Sequence, residues 1–169
     1  NLHNARKARV PMVNIIGDHA NYHKQYDAPL ESDIETVARN VSSWIRTCPS
    51  SEQVGSDAAE AVTVAQTAPA QISTLILPAD ASWGEGGSAV ESVTIPVSEK
   101  ASDATINDIC KVLSSNGKKT AVLLGRRVLL EEGLIAASKI AEKTGAKLFT
   151  EVFPTRLERG SGLPQEERI

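Results

Sequence analysis

Long apolar runs are missing from this sequence. The longest are as short as "VLL" within "TAVLLG", so no segment reads as a membrane span. Charge of one sign is missing too: 18 lysines and arginines face 21 aspartates and glutamates, a net charge of −3. That excludes the basic stripe with which nucleic-acid-binding proteins neutralise phosphates. Cysteine is scarce. Cys48 and Cys110 stand alone, each within an apolar, helix-like pattern. They read as reduced packing residues rather than as a disulfide or a metal pair. The opening residues carry no secretory pattern, and the expected compartment is the cytoplasm.

The chemistry-bearing motifs are equally sparse. All three histidines lie in the first 23 residues. Neither Ser82 nor Ser161 has a G-x-S-x-G context, so no hydrolase nucleophile stands out. There is no G-x-G-x-x-G fingerprint, and "GEGG" at residues 84–87 lacks the G-K-[ST] of a phosphate-binding loop. The residues alone display no complete active site.

What is present is a well-formed soluble pattern, 41% apolar and 23% charged, in 169 residues. That length suits one domain with a proper core or two modest ones. Residues 2–8 read as a helix stopped before Pro11, and "VPMVNIIG" as a buried strand ending at Gly17. Ser32 and Glu35 fit an S-x-x-E capping box, with Asp33 in the first turn. Behind them Ile34, Val37, Ala38, Val41, Trp44, Ile45 and Cys48 recur at three- and four-residue steps, which predicts one helix of about four turns. "PSSEQVGSD" reads as a turn and "AAEAVTVAQTA" as a second helix. "ISTLILP" has the near-continuous apolar character of a strand buried on both faces of a parallel sheet.

After "ADASWGEGGSAVES", rich in glycine and serine, the alternation restarts. A helix with Ile106, Ile109, Cys110 and Leu113 on one face is expected to stop at a left-handed Gly117. The strand "TAVLLG", the helix "VLLEEGLIAASKIAEKTG" and the strand "AKLFTEVF" follow, and Pro154 begins an irregular tail. The expected fold class is therefore α/β, with parallel-sheet three-layer units. Two partial domains, residues 1–83 and 101–169, are joined by a Gly/Ser linker over 84–100. The chain begins without a methionine in what reads as a helix, so the expectation is a piece of a longer protein.

The loop after the first strand carries Asp18, His19, Tyr22, His23, Tyr26 and Asp27. Three readings are open for its histidines: a metal site with Asp18 and Asp27 as oxygen ligands, solvated loop residues, or a ligand-facing role. The metal reading lacks further Cys or His nearby. The ligand-facing one rests on the tendency of parallel sheets to bind ligands at the carboxyl ends of their strands. Gly125-Arg126-Arg127 also follows a strand and opens a helix, a geometry suited to phosphate, although Glu131 and Glu132 oppose an anion there.

Several stretches together resemble the thiamine diphosphate-dependent enzymes of the acetolactate synthase type. "NLHNARKARVPMVNIIGDH" resembles the helix and strand of their pyrimidine-binding domain. "YDAPLESDIETVARNVSSWIR" is similar to the loop where acetolactate synthases carry a D-A-F-Q-E-type segment. Asp27, Ala28 and Glu31 match there, while Pro29 and Leu30 replace Phe and Gln. "APAQISTLILPADASW" resembles that domain's last strand, with Pro78 and Asp80 at the family spacing. "DICKVLSSNGKKTAVLLGRRVLLEEGLIAASKIAEKTGAKLFTEVFPTR" is similar to the start of the central domain.

The resemblance implies a parent enzyme that uses thiamine diphosphate and Mg2+. It would decarboxylate a small-molecule 2-oxo acid, then either join the product to an acceptor or release it, as a homodimer or homotetramer. The cofactor-activating glutamate and the diphosphate/Mg motif are expected outside this chain. The fragment is expected to be inactive alone, to bind no cofactor or metal, and to associate with itself or with missing segments. No nucleic acid or membrane partner is implied. His19 and His23 become candidate proton-transfer residues of the intact enzyme, with Asp27, Leu30 and Glu31 on the substrate side. FAD or a nucleotide on the central domain is a further property of some family members, to which Gly125-Arg126-Arg127 could contribute. The rival readings are a non-catalytic nucleotide- or small-ligand-binding module and a cofactor-free structural piece.

Overall fold

The computed structural model describes all residues except Ser92, Val93, Pro96, Ser98 and Ile169. Four of these belong to the expected linker, which lies to that extent outside the described residues. The chain forms two compact units, residues 1–98 and 99–169.

In the first unit the elements alternate as α1 (Leu2–Ala8), β1 (Met12–Asp18), α2 (Ile34–Arg39), β2 (Trp44–Thr47), α3 (Val54–Gln66), β3 (Ile72–Pro78) and α4 (Ala79–Trp83). β3 lies in the middle of a parallel sheet of order β1-β3-β2. Its first five residues are all buried, as a continuous apolar run in a central strand requires. Side chains alternate between two layers. Ser73 Oγ donates to Ala61 O of α3 at 2.8 Å, and Leu75 packs with Cys48, Ala81, Val54 and Ala58. On the opposite face Thr74 meets Ser42, and Thr47, paired with Ile76, donates to Glu35 of α2.

The expected helix from Ile34 to Cys48 is two elements. α2 covers only six residues, and Asn40 ends it by donating its side-chain amide to Thr36 O and Val37 O. Then Trp44–Thr47, rich in strand-favouring side chains, pairs with Ser73–Ile76. Arg46 locks this strand onto α3, through Asp57 at 2.9 Å and Glu60 at 2.7 Å. The capping box is also corrected. Asp33, not Ser32, caps α2 by accepting from Thr36 N at 3.0 Å. Glu35 reaches across to Thr47 Oγ1 at 3.1 Å and so ties α2 to β2. Cys48 is buried at the end of β2, whereas Cys110 is exposed, and both are free thiols. Cys110, in the second unit, is therefore not the packing residue expected.

The glycine-rich segment after α4 lies against the first unit. Ser51 Oγ donates to Glu85 O at 2.5 Å, and a Cβ at Gly55 would sit 2.1 Å from Ser88 O.

The second unit contains α5 (Asp103–Asn116), β4 (Ala121–Leu124), α6 (Glu131–Thr144), β5 (Lys147–Thr150) and β6 (Glu167–Arg168), in a parallel sheet of order β4-β5-β6. β6 lies in the expected irregular tail. α6 covers Leu124 and Leu148 with Leu134 and Ala137, beside Leu129. Gly117 is right-handed (φ −51°), against expectation. Its need for glycine is steric, since a Cβ there would lie 2.1 Å from Thr144 O. Gly145 supplies the left-handed stop, at φ 74° after α6. The expected apolar face of α5 is largely open: Ile106, Ile109 and Cys110 are exposed and Leu113 is half-buried, while Val112 beside them and Leu123 on β4 are exposed too.

A contrast between two apolar positions tests the packing of the first unit. Leu75→Ala, in the core, should cost about 2–5 kcal/mol in urea denaturation followed by Trp44 and Trp83 emission. Ile15→Ala on edge strand β1, where the side chain is 69% exposed, should change stability by about 0.5 kcal/mol or less. Equal costs would show that β1's flank is covered in solution.

Candidate functional site

β1, β2 and β3 run parallel, so their carboxyl ends lie together, and the loop after β1 crosses this edge. Asp18, the last residue of β1, starts the site. Its side chain is 2% exposed and forms an ion pair with Lys24. Lys24 in turn lies 3.6 Å from Glu31 Oε1, so one ammonium bridges the strand end and the approach to α2. Asp18 Oδ1 accepts from the His19 amide at 2.7 Å. The hydrogen bond that Lys24 donates to the Asp18 carboxylate holds its ammonium above the ordinary lysine range, and the nearby charge of Glu31 adds to the shift.

A second anchor holds the same loop to the end of β3. The Asn21 backbone amide donates to Asp80 Oδ1 at 3.0 Å, and its side chain reaches both Asp80 oxygens at 3.3 Å. The Asn21 side chain also touches Pro49 O at 3.4 Å. These donors hold the Asp80 carboxyl below the usual aspartate range. The Pro78-x-Asp80 spacing thus has a local cause: β3 ends at Pro78, and Asp80 sits two residues on, where it can hold the first loop.

Beside the Asp18–Lys24–Glu31 anchor lies a cleft of about 450 Å³. Its walls include Asp18, Lys24, Asp27, Glu31, Asp33 and Glu35, with Thr47 and Ile76 from the neighbouring strands. Five of these six charged residues are carboxylates, and the lysine is already engaged. The cleft therefore favours a cation or a neutral hydrogen-bond donor over an anion.

The proposed site residues divide. Asp27 and Glu31 line the cleft; Leu30, 84% exposed, does not. His19 and His23 lie beside each other outside the lining. Their rings meet edge to face with centroids 5.4 Å apart, and His23 is 5.9 Å from the Tyr26 ring. His19 is half-buried and His23 exposed. Among the described residues no group of three or more His, Cys, Asp or Glu is placed to hold a metal. No helix of the described residues is long and apolar enough to cross a membrane. The sequence reading missed Lys24, Asn21 and Asp80 as loop anchors. Asp80 had a signal in its spacing after Pro78; nothing local distinguishes Lys24.

No protein-family model matches the chain. Over all 169 residues it is 48% identical to a Mycobacterium tuberculosis protein described as "Putative acetolactate synthase large subunit IlvX", and it spans 32% of that protein's length. Two solved structures share its fold, each at 21% identity over 92% of this chain and 30% of theirs. One is a thiamine diphosphate-dependent 4-hydroxybenzoylformate decarboxylase from Rhodococcus jostii RHA1, with a TM-score of 0.75. The other, with a TM-score of 0.67, is described as a "putative thiamin diphosphate-dependent enzyme" from Mycobacterium smegmatis.

The Asp80 anchor gives a pH prediction. Its folded carboxyl titrates below the ordinary range, so its stabilisation is complete above the unfolded value and disappears as pH falls through the folded one. The protection factor of the Asn21 amide, its exchange measured against the intrinsic rate at the same pH, should fall on acidification while that of Leu75 holds. Asp80→Ala should produce the same loss of protection at neutral pH. An Asn21 amide indifferent to both changes would show that Asp80 does not hold the loop.

Proposed function

From a chain that is acetolactate synthase-like along its whole length and folded like part of thiamine diphosphate-dependent enzymes, we propose a segment of a 2-oxo acid enzyme using that cofactor. The parent is a carboligase or decarboxylase, a transferase or lyase acting on a small 2-oxo acid, with Mg2+ beside the cofactor. Residues 1–83 belong to its pyrimidine-binding domain and 101–169 to its central domain. The observation that carries this reading is a histidine-bearing loop, anchored at two points, across the carboxyl ends of three parallel strands.

The donor set limits what this chain contributes. Five carboxylates around an engaged lysine do not fit a diphosphate, so no residue here is assigned to hold that end of the cofactor. By charge, the substrate's own carboxylate belongs against other groups as well. What the loop offers is proton transfer. His19 and His23 are the loop's imidazoles, and an imidazole gains and loses protons near neutral pH. Asp27 and Glu31 lie on the substrate side as hydrogen-bond acceptors, and Leu30 is an exposed apolar contact beside them. The fragment by itself is inactive and holds no cofactor. It associates through its uncovered faces, whereas the cytoplasmic parent is a homodimer or homotetramer.

Turnover of a panel of 2-oxo acids by the full-length protein, with thiamine diphosphate and Mg2+, tests the reading. His19→Ala/His23→Ala should lower kcat by roughly 10²–10⁴-fold if the pair moves protons. Undiminished turnover in the double variant would remove the histidines from the mechanism. Absence of cofactor-dependent turnover in the native protein would instead favour a ligand-binding module. Sedimentation of the 169-residue chain should show a species larger than its 18.0 kDa, and a stable dilute monomer would remove the association.

A further inference from the structure

The second unit has the backbone of an anion site and has filled it from within. β4 ends at Leu124, and Gly125 and Arg126 turn the chain toward α6, with Arg126 in the left-handed region at φ 55°. In an α/β sheet, such a turn lets a phosphate approach the backbone and receive its amide hydrogens. Here the Arg126 amide donates to Glu151 Oε1 at 3.0 Å. The space in front of Gly125, which a ligand would need, holds the same carboxylate. A Cβ built on Gly125 would lie 3.0 Å from Glu151 Oε1 and 3.2 Å from its Cδ.

The other favourable donor is the start of α6, a helix of 14 residues. The Glu131 amide donates to Glu158 Oε2 at 2.6 Å. Glu158 is held in place from two sides. Its own amide donates to Leu129 O at 3.0 Å, and its second carboxylate oxygen pairs with Arg156 at 3.0 Å. Beside this helix start is a crevice of about 450 Å³ whose lining carries Glu131, Glu132 and Glu158 against Arg127. Two carboxylates thus occupy the amides that a phosphate would use, and the remaining lining charge at the helix start is mainly negative.

We infer that Glu151, at the turn after β4, and Glu158, at the start of α6, are built-in anions that deny these amides to the phosphates of a dinucleotide or nucleoside diphosphate. The residues present do not fit the FAD or nucleotide that some members of the resembled family carry on this domain. The two glutamates are therefore specificity-determining residues. They satisfy the helix start and the turn, so the second unit folds without a ligand there. The inference rests on residues 99–169 alone and is independent of the assignment of the histidine loop.

The test is a titration of the ¹⁵N-labelled chain with FAD and, separately, with ADP at neutral pH, observing the Arg126 and Glu131 amides. Neither signal should move in the native protein. A saturable shift at either amide would overturn the inference. In Glu151→Ala/Glu158→Ala the two amides lose their internal acceptors, and both should then shift with ADP. A folded double variant, judged by unchanged dispersion of its other amides, that stays indifferent to ADP would also overturn it. If the double variant does not fold, Glu151→Ala read at Arg126 and Glu158→Ala read at Glu131 decide in the same way, and the native titration stands whatever the variants do.

Discussion

The first unit depends on parallel pairing on both sides of β3. A strand with its two neighbours in register has its backbone donors and acceptors satisfied within the sheet, so its apolar side chains can be buried on both faces. Ile72, Leu75 and Ile76 are buried for that reason, and Ser73 and Thr74 are buried with partners for their hydroxyls. The same pairing fixes the direction of β1 and β2. It therefore brings Asp18, Thr47 and Pro78 to one edge, which no local feature of the three segments would do.

Once that edge exists, its loop needs holding. A crossing loop without anchors would keep its conformational freedom, and ordering it costs about 1–2 kcal/mol of backbone entropy per residue. Two anchors of different kinds divide the task. Lys24 is a charged bridge between Asp18 and Glu31, partly shielded at the Asp18 end. Asp80 is a hydrogen-bond acceptor that takes the Asn21 amide and side chain together. The histidines sit between the strand end and Lys24, so their placement follows from these contacts rather than from their own.

What the sequence showed and concealed follows from how far each element's signal extends. β3 and α6 were legible because a buried central strand and a 14-residue amphipathic helix repeat their pattern several times over. β2 was hidden by its length. Four residues place only two side chains on each face, and the steps from Val41 to Ile45 and from Trp44 to Cys48 mimic helical spacing. Val37, 70% exposed, shows that the stripe was not one face. β6 is a two-residue pairing created by β5, and nothing in "EER" encodes it. Gly117 was recognised as special for the wrong reason, since the approach of Thr144 is a tertiary fact. The loop's carboxylates and imidazoles could be read in the sequence, and of them Asp27 and Glu31 line the cleft whereas His19 and His23 do not. Its anchor at Asp80 was hidden, because Asp80 and Asn21 are 59 residues apart.

Both sheet ends share an electrostatic character that narrows the chemistry. In the first unit, carboxylates line the cleft and its lysine is neutralised. In the second, carboxylates occupy the turn and helix amides that would otherwise attract an anion. A 2-oxo acid and a diphosphate are both anions, and neither is stabilised by a wall of negative charge without counter-cations. Acidic strand ends are suited instead to accepting hydrogen bonds and protons from a neutral or cationic group. For the 2-oxo acid reaction proposed above, charge suits these strand ends to positioning proton-handling side chains and acceptors, and phosphate and carboxylate would need cationic groups elsewhere. That division of labour follows from charge alone, and it makes the two-point anchoring of the loop important, because a proton acceptor works only within hydrogen-bond reach of the proton it takes.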